Sequence, residues 1–184
     1  ELWEMVIWIG IFSEIRKNSL LPSDDDLYVV NAYLDNMNIQ RSETVDGVLS
    51  DLARALDDVM DKNPSGGAAE ILKEFDRSRF DYVRSVVLKS FESTNKNFVV
   101  LMDSLDDFQL DIDSVSHSLQ GLLKLVGSMN KPRDIVDIRF CMPAEVYHRF
   151  IKISSNPNKD FRRALKLQWS AAELVLIGAQ RLNF

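Results

Sequence analysis

Apolar and polar positions along the chain change their period near its midpoint. From Leu2 to Lys17 apolar residues crowd most of a helical circumference, with Glu4, Glu14, Arg16 and Lys17 towards the ends. That pattern predicts a buried helix stopping near Asn18. Leu21-Pro22-Ser23 resets the chain, and Ser23 or Asp24 is placed to cap a second helix. Its first turn holds Asp24, Asp25 and Asp26, where carboxylates meet the positive end of the helix dipole, so the triplet needs no metal. Leu27, Val30, Tyr33, Leu34 and Met37 continue at helical spacing. A third helix is expected from Ser42 to Met60 on the stripe Val45, Val48, Leu49, Leu52, Leu56 and Val59. Asn63-Pro64-Ser65-Gly66-Gly67 reads as a loop. Helical spacing returns from Ala68 to Phe75 and again from Phe80 to Phe91.

After that the elements alternate. Asn97 to Asp103 is an unbroken apolar run into an acid, the pattern of a parallel strand buried on both faces. Val115 to Met129 is a helix carrying Leu119, Leu122, Leu123 and Val126, and Asp134 to Met142 is a second strand. Pro143 to Ile153 is a short helix with proline in its first turn. Ala164 to Trp169 is a third strand, and Ser170-Ala171-Ala172-Glu173 is a capping box opening a last helix. Strand and helix alternating at this spacing imply parallel pairing through right-handed crossovers, hence an α/β fold. The chain therefore divides into a helical segment, 1–96, and a parallel α/β core, 97–184. There is no internal repeat.

Composition narrows the function classes. With 184 residues, 46% apolar and 27% charged, the chain carries a real core and is not disordered. Net charge is 22 − 28 = −6 with no basic block, so no electrostatic footprint for nucleic acid is present. The single cysteine, Cys141, excludes an internal disulfide and suits a reducing, cytoplasmic setting; on its strand it reads as a small core residue. The opening Glu1 to Phe12 is apolar but too short and too acidic to span a membrane, and it lacks the flanks of a signal peptide. Absence of an initiator methionine and a last helix without a stop signal are read as cut ends of a longer protein. His117 and His148 have no second ligand at metal spacing, and Trp169 reads as packing at a strand end.

Three segments together resemble P-loop NTPases of the signal-transduction type (STAND), a group near the AAA+ ATPases. Phe98-Val99-Val100-Leu101-Met102 running into Asp103-Ser104-Leu105-Asp106-Asp107 resembles a Walker B strand; Ile135 to Phe150 resembles the strand and short helix that follow it. Leu165 to Ser170, with Glu173-Leu174 and Arg181-Leu182, is similar to the closing strand and helix of bacterial members. The likeness covers Asn97 to Leu182. It implies a partial three-layer fold, ATP and Mg2+ as cofactors, additional domains of the same chain, and a possible oligomer. Asp103 would hold magnesium and the nucleotide, Asp106 would activate the attacking water, and Arg139 would contact nucleotide in place of a sensor arginine.

Three departures qualify what the resemblance implies. No Gly-x-x-x-x-Gly-Lys-Ser/Thr occurs, so the phosphate cradle and its lysine are not in these residues. Ser104 stands where active members carry a second acid, and serine is no base at neutral pH. Met142-Pro143 stands where the sensor arginine is often found, with Arg139 and Arg149 as weaker substitutes. The resemblance thus implies a nucleotide-dependent switch that does not hydrolyse ATP on its own. The alternative is a non-catalytic interaction module on a degenerate core. A third reading, a phosphatase built on Asp111-Ile112-Asp113, suffers because those acids do not end an apolar strand. A helical terpene-cyclase fold is opposed by the alternating second half.

Overall fold

Helix α1 (Leu2–Asn18) is the pillar against which the next helix packs along its length, and the helix of the sheet's crossover also touches it. Met5, Ile7, Trp8, Ile9, Ile11, Phe12 and Ile15 are all buried, as an apolar residue at nearly every position of a helix requires. Ser19 ends it at φ 48°, a left-handed cap whose N–H donates to the Ile15 carbonyl. The computed structural model describes residues 1–39, 47, 50, 51, 54, 76–103, 113–129, 135–154, 156–160, 165 and 170–182.

Helix α2 (Asp24–Asn36) is capped by Ser23, whose Oγ accepts from the Asp26 N–H at 3.3 Å, and the three aspartates occupy its first turn. Val30, Tyr33 and Leu34 face α1 and the core. Helix α3 (Arg77–Thr94) starts three residues before its apolar stripe. Asp76 caps it there, its carboxylate accepting from the Arg79 N–H at 3.1 Å. Arg79 also donates to the Ala32 carbonyl of α2 at 3.2 Å. The three helices meet at Phe12, Tyr33 and Phe80, with centroids 5.9, 6.1 and 6.3 Å apart. Each such ring pair adds about 0.5–1.5 kcal/mol beyond the area it buries. Of the helix expected over Ser42 to Met60, Gly47, Ser50, Asp51 and Arg54 are helical; its other residues, the 63–67 loop and the 68–75 helix lie outside the described residues.

Strands β1 (Phe98–Met102) and β2 (Val136–Phe140) pair in parallel, Phe98 against Val136 through Met102 against Phe140. Parallel partners need a long crossover, and helix α4 (Asp113–Met129) lies within it, burying Leu119, Leu122, Leu123 and Val126. Trp3 of α1 ties α4 down, its indole N–H donating to the Ser118 carbonyl at 2.8 Å and to the Ser118 hydroxyl at 3.1 Å. Helix α5 (Ala144–Ile153) seats Phe150 in the core, α6 (Pro157–Asp160) is one turn, and α7 (Ala171–Leu182) is the last element.

The sheet departs from expectation in one respect. Phe98, Val100 and Met102 face the core, but Val99 is 50% exposed and Leu101 75% exposed, so β1 is not buried on both faces. Beside them on β2 stand Asp137 and Arg139, partners of Val99 and Leu101 in the ladder. Side chains alternate with a period of two, so the charged positions of β2 commit its neighbour's apolar ones to the same outward face. Leu165, in the third expected strand, has no regular structure and is 90% exposed; Ala164 and Lys166 to Trp169 lie outside the described residues. Within the described residues the protein is predominantly helical with one two-stranded parallel sheet, strand and helix alternating in its second half. No helix among them is long and apolar enough to cross a membrane.

Candidate functional site at the C-terminal edge of the sheet

Parallel strands linked by a crossover present their C-terminal ends together, the place where open α/β sheets bind ligands. Here that edge is formed by Asp103, next after β1, and by Cys141, Met142 and Pro143, next after β2. The Cys141 N–H donates to the Met102 carbonyl at 3.0 Å, carrying the ladder one step past Met102 and Phe140. Asp103 and Cys141 therefore leave the sheet side by side, and both are exposed. That corrects the expectation of a core cysteine: β2 closes at Phe140, and Cys141 lies beyond the last position that packing covers. Pro143 caps α5, its carbonyl accepting from the N–H groups of Val146 and Tyr147, both at 3.1 Å. The positive end of the α5 dipole thus rises from the same edge.

Of the residues the resemblance assigned, Asp103 alone stands at this edge among those described. Arg139 sits back from it, opposite Leu101 on the outward face. Its Nε and Nη2 both reach Asp137 Oδ2, at 2.8 and 2.7 Å. Asp106, Ser104, Asp107 and Asp111 lie outside the described residues. Asp103 fits magnesium in its chemistry: the ion takes hard oxygen donors, and in nucleotide sites one or two carboxylates suffice beside water and phosphate oxygens. Among the described residues no group of three or more His, Cys, Asp or Glu is gathered to hold a metal by itself. His117 and His148 are exposed on α4 and α5.

A second cluster of charge lies between α1 and α3. Glu4 accepts from Arg77 Nη2 at 3.1 Å and pairs with Arg84 Nη1; Asp81 pairs with Arg77 Nε at 3.3 Å and Arg84 Nη2 at 3.2 Å. Both guanidinium carbons lie over the Phe80 ring, at 5.2 and 5.7 Å. Partial desolvation disfavours the Arg77 cation, but the hydrogen bond and charge of Glu4, with those of Asp81, outweigh it and hold Arg77 above its ordinary pKa. With its carboxylates and guanidinium groups already paired across two helices, the cluster clamps α3 to α1. Its sequence signal is Arg77, Asp81 and Arg84 at helical i, i+4 and i+7 spacing, which puts all three on one face.

Compared with known proteins, the chain matches no protein family, no curated protein and no solved structure.

Proposed function

We propose that this chain is part of an ATP-binding P-loop NTPase domain of the signal-transduction or AAA+-like kind, acting as a nucleotide-dependent conformational switch. One observation carries the reading: an exposed aspartate follows the first strand of a parallel strand–helix–strand unit, at the edge from which α5 rises. Asp103 would hold Mg2+ there, and the ion would supply positive charge to offset that of the ATP phosphates. Asp106, three residues on, is the acid for the attacking water. Arg139 reaches nucleotide only by releasing Asp137, so its contribution is conditional on a rearrangement of the outward face. The phosphate cradle comes from outside these 184 residues, since no Gly-x-x-x-x-Gly-Lys-Ser/Thr is among them, and the chain alone does not turn ATP over. A second helical layer over Val99 and Leu101 would complete the three-layer arrangement. Further domains of the same protein, an oligomeric assembly and a cytoplasmic setting without nucleic acid belong to the same proposal.

The second reading, a non-catalytic interaction module on a degenerate core, draws its support from the Arg139–Asp137 pair and from Ser104 after Asp103. Calorimetric titration of the full-length protein with ATP separates them. Tight, magnesium-dependent binding that Asp103→Ala abolishes is the expected result. No heat at high ATP would reject the switch and leave the module.

A further inference from the structure

We draw no further inference here: the strongest candidate, the outward face of the β1–β2 sheet with Val99 and Leu101 exposed beside the Asp137–Arg139 pair, is an unpartnered apolar face, and nothing in the structure shows what covers it.

Discussion

The Arg16 guanidinium of α1 reaches the Asp35 carboxylate of α2, Nη1 to Oδ1 at 2.9 Å, from a side chain 4% exposed to one 71% exposed. Its Nη2 also donates to the Ile39 carbonyl at 2.6 Å, beneath the end of α2. The two bonds are unequal. An exposed carboxylate that loses its arginine is rehydrated, whereas a buried carbonyl that loses its donor is left dry.

Asp35→Asn is therefore expected to cost no more than about 1 kcal/mol. Arg16→Met, which keeps the buried stem but strands the Ile39 carbonyl, is expected to cost about 1–3 kcal/mol. Urea denaturation of both variants checks this. Equal losses would place the stabilisation in the ion pair and not in the carbonyl.

Tyr33 supplies a pH dependence. Burial, reinforced by Asp76 and partly offset by Arg77 and Arg79, raises its phenol above the ordinary 10.0. The folded state then holds the proton more tightly than the unfolded state. The associated stability is whole below pH 10.0 and is lost as pH climbs through the folded value. Tyr33→Phe keeps the ring between Phe12 and Phe80 and removes the ionisation. Its stability is expected to fall less steeply above that pH than the parent's, measured by denaturation at increasing alkalinity. Parallel curves would rule out Tyr33 as the titrating group.

The two faces of the sheet predict opposite tolerances. Leu101→Ser, at a position 75% exposed, is expected to change stability by no more than about 0.5 kcal/mol. Ile138→Ala, 2% exposed on the inward face, is expected to cost about 2–5 kcal/mol. Thermal unfolding of the two variants reports both. A large loss from Leu101→Ser would mean that the outward face is covered in solution.

At the start of α7 the capping box is complete. The Ser170 N–H and Oγ each donate to Glu173 Oε2 at 2.7 Å, and the Glu173 N–H donates to Ser170 Oγ at 3.3 Å. The backbone N–H and then the hydroxyl of Ser170 lower the Glu173 pKa from its ordinary 4.5. The cap is accordingly intact above pH 4.5 and is lost as pH falls through the folded value. Amide exchange in the first turn of α7 is expected to quicken on acidification, once corrected for intrinsic rates, and to lose that pH dependence in Glu173→Gln. An unchanged profile in that variant would remove the box from the account.

Local chemistry made part of this molecule readable. Ser23 and Ser170 announce the helix starts they cap, and the circumferential apolar run of Leu2 to Lys17 announces a helix surrounded by others. The Val136-Asp137-Ile138-Arg139-Phe140 alternation held the sheet's sidedness, yet the apolar run of β1 pointed the other way. A strand's own pattern does not reveal what lies over its second face, because that depends on segments distant in sequence. Asp103 was legible as an edge residue from an apolar strand ending in an acid. Arg139 was harder to place. Which face a strand residue takes follows from register, and its engagement by Asp137 follows from a neighbour two positions away. The Glu4 clamp escaped notice for the same reason, since its partners lie 73 and 80 residues along the chain.

Separation along the chain also sets a timetable for α1. Its Trp3 cannot find Ser118, 115 residues further along, until that residue has been made, roughly 6–23 s later at ordinary rates of synthesis. During that interval α2 can settle against one side of the pillar, while the side destined for α4 stays uncovered. The apolar circumference that buries α1 in the finished fold leaves it, on the ribosome, with an uncovered apolar side until α4 has been made.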